Sequence, residues 1–567
     1  MKAKANTDSA DMTPKLTILH TSANQQGNIM KMTKTLIASA ILATSISTLQ
    51  VQAADVPAGV ELAAKQELVR GGGSEPATLD PQKIEGTPGS IRSRDLFEGL
   101  YNQDGDGNQI PGVATSYDVN ADNTVYTFHL RHDAKWSNGD PVTAGDFVYS
   151  FTRAVDPVTA SPYAWFIEIP SIVNATKIIA GEAKPSSLGV KAIDDYTFQV
   201  TLERPVPYFV KMTSHQTMFP VPKKVVEKWG DDWTKPEHMV SNGAYKMDEW
   251  VVNEKMEFSR NKYYWNDAET VINKVTYLPI ESPNAELKRF QAGQMDLSYE
   301  LPNDHFKQLK RDMPDQVVIT PYLGTYYYQF NTTKAPYNDV RVRKALSYAI
   351  DRDVITKYVT GVGEIPAYSF TPEVVNGFNP ATPAYATWTQ KERNEKAQTL
   401  LKEAGFDKSN PLNFTLLYNT NENHKKLAIA ISAMWKKTLG VKVTLENQEW
   451  KTYLETKKHQ QFDVARAGWI GDYNEASTML DLLTTTHGNN DGKYSNAAYD
   501  TLLHDARTMK DPAANYNKAE EIAIEQDMAV APIYQYVNKR LVKPYVGGYQ
   551  PNPEDNVYAR DMYIIKH

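Results

Sequence analysis

The sequence predicts an α/β protein built as more than one lobe and exported from the cell that makes it. Strand-like and helix-like periodicities alternate along the chain, its 567 residues exceed what one hydrophobic core usually supports, and an export signal lies among its first 53 residues. The signal has three parts. Met30-Lys31-Met32-Thr33-Lys34 is the basic region, Leu36 to Ile46 the apolar run, and Val51-Gln52-Ala53 the small-residue cleavage site. The mature chain is expected to start near Ala54, so residues 30–53 are read as signal peptide and 1–29 as a start-site artefact, with Met30 or Met32 as the true start. The apolar run is too short to span a bilayer comfortably. No cysteine stands at the cleavage point, so a released rather than lipid-anchored protein is expected.

The elements follow in order. Val125 to Leu130 and Tyr196 to Leu202 alternate as half-buried strands do. Val275 to Ile280 and Thr325 to Phe330 look like strands entering or leaving a domain. Behind Asn338-Asp339, the spacing of Val342, Ala345, Leu346, Ala349 and Ile350 predicts a capped helix. Ala397, Leu400, Leu401 and Ala404 predict another, which Gly405 closes. Neither a solenoid repeat nor a low-complexity linker is present, so strands rather than loose tethers should join the lobes, as a hinge requires.

Composition narrows the function classes. With no cysteine there is no disulfide, no zinc–thiolate site and no thiol nucleophile. A net charge of −7 argues against nucleic acid as a partner. The 33 tyrosines and 10 tryptophans suit a site for varied ligands, although composition alone favours ordinary core and surface placement. Asp104-Gly105-Asp106-Gly107-Asn108 opens like a calcium loop, but Gln109 and Thr115 occupy its required glycine and acid positions, which predicts a hairpin turn. Neither a zinc-protease motif, a nucleophile elbow nor a phosphate loop is found, and the 11 histidines lack metal spacing. No catalytic residue, metal or cofactor is expected.

The run Trp136 to Phe147 (WSNGDPVTAGDF) closely resembles the signature of the peptide-type extracytoplasmic solute-binding proteins of ABC importers. Further stretches agree in order: Arg94 to Leu100, Asn242 to Tyr245, Asp339 to Leu346, Asn447 to Thr452, Phe462 to Trp469 and Asp472 to Glu475. The resemblance covers essentially all of the mature chain. It implies a two-lobed periplasmic-binding-protein fold of three domains with a hinge between the lobes. Domain I would comprise 54–97, 223–323 and 540–567, domain II 98–222, and domain III 324–539. The implied function is capture of short oligopeptides in the periplasm for the permease and ATPase subunits of an importer, by a monomer. The alternative is a dedicated murein-tripeptide binder. A same-fold module for another ligand, a secreted hydrolase and a holder of unfolded chains are the remaining readings.

The resemblance also assigns the site. Asp472 would receive the peptide's α-ammonium, and extended backbone around Ala467, Gly468 and Trp469 would pair with the peptide as an added strand. Trp450, Trp469, Tyr163, Tyr327 and Tyr536 would line side-chain pockets, with Asn419 in the same set. Arg466, Lys457, Lys458 and His424 would offer positive charge to carboxylates of peptides of different lengths, with Glu85 an acid in the same cleft. Several positions depart from the oligopeptide binders: Thr360 replaces a lysine, Lys457 an arginine, Lys458 a histidine and Gln329 a glutamate. A lysine lacks arginine's planar fork, so a carboxylate at Lys457 should be held more loosely. Gly324 and Ile470 stand where the best-known enteric member has a disulfide.

Overall fold

The structure, a computed structural model, describes residues 54–567. The signal-peptide and start-site expectations lie outside the described residues. Among the described residues no helix is long and apolar enough to cross a membrane.

Three sheets organise the chain. In the first, the strands run Glu67–Gly71, Lys274–Leu278, Lys255–Arg260, Tyr245–Val251, and only the first pair is parallel. The second is antiparallel: Ala114–Val119, Val125–Leu130, Thr197–Thr201, Val190–Asp194. Its alternation sends Tyr126, Phe128, Leu130, Phe198 and Val200 to one buried face. The helix Ala144–Val155 covers that face, packing Phe147 and Phe151 on Phe198 with ring centres 5.5 and 5.3 Å apart. Thr143 and Asp146 close a capping box at its start, so the signature stretch ends by fixing where this helix begins.

The third sheet has six strands, ordered Ile365–Pro366, Val530–Leu541, Val317–Phe330, Val464–Ile470, Asn413–Asn419, Lys442–Gln448. Its two longest members link the lobes. The lower part of the pair packs Val317, Val537 and Leu541 against Leu287, Phe290 and Leu309, beside the first sheet. Higher up, the same strands form the centre of the third sheet. Between these regions the register slips: Pro321 pairs with Val537, but Thr325 already pairs with Gln535. Tyr322, Leu323 and Gly324 therefore bulge out of this ladder, placing a bend where the chain passes between lobes. Gly324 lies directly opposite Ile470, where the resemblance placed the missing cross-link.

The periodicity readings hold with shifts of one or two residues, except that the strand read at Thr325 to Phe330 begins at Val317, well before the expected start. The helix after Asp339 spans Val340–Tyr348, with the Asp339 carboxylate accepting from the Arg341 amide. The next spans Gln390–Glu403, and Gly405 follows at φ +90°. At the calcium-like stretch, Asp104 accepts from the amides of Asp106 and Asn108 inside a hairpin of Tyr101–Gln103 with Gln109–Pro111.

One buried acid ties distant segments together. Glu98 is fully buried and accepts from Asn102, Tyr264, Trp265 and Arg560 at 2.6–2.9 Å. Removing one partner of a buried pair leaves the other charge uncompensated. Glu98→Ala is expected to lower the unfolding free energy by about 3–5 kcal/mol in urea denaturation. A loss below about 1 kcal/mol would show that water or another group compensates Arg560.

Candidate functional site: an interlobe cleft with an open strand edge

A cavity of about 290 Å³ lies between the lobes, and all three domains expected from the sequence contribute to its wall. Its central element is the Val464–Ile470 strand. One edge pairs antiparallel with Val317–Phe330 from Val464 to Ile470. The other edge pairs with Asn413–Asn419 only at Val464 and Ala465. Residues 466–470 therefore present a strand edge with no neighbouring strand, and Gly468, Trp469 and Ile470 line the cavity there. The Tyr453 hydroxyl donates to the Arg466 carbonyl at the inner end of this edge. Gly468 has a steric reason: a Cβ there would lie 2.3 Å from the Tyr536 hydroxyl and 3.2 Å from Arg466 Nη2. The guanidinium thus folds back over its own strand.

A second element delivers the cationic end. The helix Trp450–Lys458 begins at Glu449, whose carboxylate caps the amides of Lys451 and Thr452. Trp450, Leu454, Lys457 and Lys458 are spaced i, i+4, i+7 and i+8, so they share one face, and all four line the cavity. Arg466 donates to Asn419 Oδ1 at 3.2 Å and to the Tyr536 hydroxyl at 2.7 Å, with its guanidinium 4.8 Å from the centre of the Tyr326 ring. Among the described residues it has no carboxylate within ion-pair distance.

The opposite end is acidic. Asp472 follows the open edge, its amide donating to the Thr478 hydroxyl at 2.8 Å. Oδ1 faces His215 Nε2 of the opposing lobe at 3.3 Å, and Oδ2 is buried without a hydrogen-bond partner. Burial pushes the His215 imidazole below the usual histidine value, against the pull of Asp472.

Of the fourteen residues expected at the site, thirteen line this cavity: Asp472, Trp469, Gly468, Arg466, Glu85, His424, Trp450, Lys457, Lys458, Tyr163, Tyr327, Tyr536 and Asn419. Gln329 does not. It lies two residues beyond Tyr327 on the same face of its strand, buried against Gly492. Two expected roles also change. Lys457 is engaged by Asp491, Nζ to Oδ2 at 3.0 Å, so its charge is already balanced. His424 cannot supply positive charge near neutrality, because burial and then the charges of Arg466 and Lys539 drive its imidazole well below the ordinary value. Lys458 lines the cavity and makes no ion pair among the described residues.

Residues that the sequence reading missed hold the lobes together across the cleft. The Trp165 indole donates to Asn489 Oδ1 at 2.8 Å, and the Asn489 amide donates to Glu85 Oε1 at 3.0 Å. Burial, and next the charge of Asp491, raise the Glu85 carboxyl above its usual range. Tyr208 stacks on Tyr473 with ring centres 5.3 Å apart. Trp165, Tyr208 and Asn489 have no periodicity or motif that marks them; each gains its meaning only when the lobes meet.

An interlobe cavity with an open strand edge and opposite charges at its ends defines a solute receptor of the two-lobed class. The chain belongs to the bacterial extracellular solute-binding proteins, family 5, whose model (family 5 Middle) matches residues 108–491. It is 52% identical over 545 residues to the periplasmic oligopeptide-binding protein OppA of Salmonella typhimurium, covering 95% of this chain and 100% of the relative. It superposes on the structure of the Escherichia coli murein tripeptide binding protein MppA with a TM-score of 0.88 at 51% identity, covering 89% of this chain and 100% of that one. Against the unliganded open form of MppA, at the same 51% identity and covering 90% and 99% of the two chains, the TM-score falls to 0.65. With the contacts across the cleft, that difference identifies the conformation here as closed.

A buried histidine makes folding sensitive to acid. Burial, with Arg507 and Lys493 adding, pushes His487 down to about 3 from 6.5. The unfolded chain takes up a proton that the folded chain refuses, so this position contributes less stability as pH falls below about 6.5. His487→Gln removes that proton uptake. The wild type should therefore lose Tm relative to the variant as pH is lowered from about 6.5 to about 4, measured by calorimetry. A pH-independent difference would contradict the buried neutral imidazole.

Proposed function

We propose that the chain is a periplasmic receptor that captures short oligopeptides and delivers them to an ABC importer. The observation that carries this reading is the open edge of residues 466–470, with an unpartnered carboxylate oxygen at one end and a guanidinium lacking an acidic partner at the other. A peptide offers what each part needs: an α-ammonium for Asp472, main-chain donors and acceptors for the strand edge, and a carboxylate for Arg466 or Lys458. Enclosure strips water from all these groups, so each must be paired or several kcal/mol are lost. The guanidinium lies over Gly468, four residues before Asp472, which corresponds to roughly 13 Å of strand. That length suits an extended peptide of about three or four residues.

Main-chain pairing does not read side chains, which supports broad rather than dedicated peptide binding. The OppA relative is named for oligopeptides. Each sheet's strands fall largely within one of the three proposed domains, 54–97 with 223–323 and 540–567, 98–222, and 324–539; only the two lobe-linking strands overrun. The bulge at 322–324 would act as the bend on which the cleft opens.

The expected result of native mass spectrometry on freshly purified protein is a spread of added masses matching peptides of about two to five residues. Asp472→Ala should appear without them. A single mass matching a murein tripeptide would replace the broad reading with the dedicated one. Protein that carries no peptide and takes up none when tripeptides are added would refute both.

A further inference from the structure

Glu554 is an acid in the cleft wall that the peptide reading leaves unused. Its residue is 7% exposed, it lines the cavity, and its Oε1 is buried with no hydrogen-bond partner. The other oxygen is held in a fixed chain of amides: Asn556 donates to Gln103 Oε1, and the Gln103 amide donates to Glu554 Oε2. One oxygen is thus anchored while the other is buried without a donor. A buried carboxylate in that state is costly unless it is protonated or meets a cation.

Its position relative to Asp472 follows from two backbone hydrogen bonds. The Gly471 amide donates to the Leu323 carbonyl at 2.7 Å, and the Leu323 amide donates to the Pro553 carbonyl at 2.6 Å. Three chain segments therefore lie side by side, with Asp472 one residue along the first and Glu554 one residue along the third. At about 4.8 Å per neighbouring segment, the two backbones are roughly 10 Å apart. Both residues line one cavity and the charge of Asp472 acts on Glu554, and a backbone spacing of this size is one that the two amino groups of a single diamino residue can bridge. Each has one buried oxygen still lacking a partner.

We propose that Glu554 and Asp472 form a two-carboxylate site that selects peptides whose first residue carries a second cationic amino group, such as lysine or ornithine. The proposal rests on the peptide reading, with the α-ammonium at Asp472. One α-ammonium leaves one of the two acids without a partner; a second amino group satisfies both. The surrounding charges do not remove that need. Arg94, from the helix Thr87–Leu96, gives Nη1 to the Ser214 carbonyl at 2.9 Å and makes no ion pair with Glu554 within 4.0 Å. Lys211, from the helix Phe209–Met212, acts on Glu554 through its charge, after Arg94 and ahead of Asp472, but makes no ion pair with it, and His215 is held toward its neutral form. Burial pushes the Glu554 carboxyl up to about 7, against the hydrogen bond from Gln103 and the charges of Arg94 and Lys211, with Asp472 raising it further. A bound cation draws that proton off, so the preference should strengthen as pH rises through this range.

The test compares Lys-Ala-Ala with norleucine-Ala-Ala, which matches it in shape but lacks the second charge, by calorimetry at pH 8. The wild type should bind the lysyl peptide at least tenfold more tightly. Glu554→Gln should bind both with equal affinity, within about twofold of the wild type's affinity for norleucine-Ala-Ala. If that variant does not fold, the wild type alone decides, because its preference should shrink several-fold between pH 8 and pH 5.5. Equal wild-type affinities at pH 8, or a preference kept by Glu554→Gln, or one unchanged by pH, overturns the proposal while leaving the peptide reading standing. Failure to bind either peptide overturns both.

Discussion

The structure depends on a strand edge that is buried without being paired. Backbone N–H and C=O groups inside a protein must find partners, and beyond the Arg466 carbonyl, which accepts from Tyr453, residues 467–470 have a neighbouring strand on one side only. An exposed edge of this kind invites association with another strand, and proteins usually cover or blunt it. Here the opposing lobe covers it instead. Trp165, Tyr208 and His215 close over the edge from one side, meeting Asn489, Tyr473 and Asp472 on the other. In the proposed reading a peptide would dock there as a third strand, and the register slip at Pro321–Thr325 would be the bend on which the lobes part to admit it.

The charges around that edge are sorted rather than merely abundant. Lys457 and Asp491 neutralise each other, as do Arg540 and Asp555, so neither Lys457 nor Arg540 is available as a free cation there. Arg466 and Lys458 are left without an ion pair on one side, near the Glu85 carboxyl, and Asp472 with Glu554 stands on the other, where Arg94 acts on Glu554 through its charge. Burial keeps His215 and His424 toward neutrality, which prevents them from blurring this polarity. Under the proposed reading, a zwitterionic chain would enter with its ammonium toward Asp472 and its carboxylate toward Arg466 or Lys458.

Much of the fold was legible in the sequence because its local signals agree with the tertiary outcome. Thr143 and Asp146 cap a helix whose phenylalanines meet the alternation of Tyr126, Phe128 and Phe198, so period and cap point to one packing. Asp472, Arg466 and the Trp450 helix face could be placed because their motifs resemble those of a known family. Burial decided the rest. His424 and Lys457 carry the residue types of cationic anchors, yet one is held neutral by its surroundings and the other is matched by Asp491. Gln329 has the right strand and the right face, but lies too far along it, behind Gly492. Glu554, near the far end of the chain, has no motif at all; it reaches the cleft only because Pro553 pairs with Leu323.

The most direct measurement is the affinity of Ala-Ala-Ala against its N-acetylated form by calorimetry, with Asp472→Asn in parallel. If the edge and its acidic end capture peptides as described, acetylation should cost the wild type at least a hundredfold, or about 3 kcal/mol or more. The Asp472→Asn variant should hardly distinguish the two peptides. Equal binding of free and acetylated tripeptide by the wild type would contradict the account.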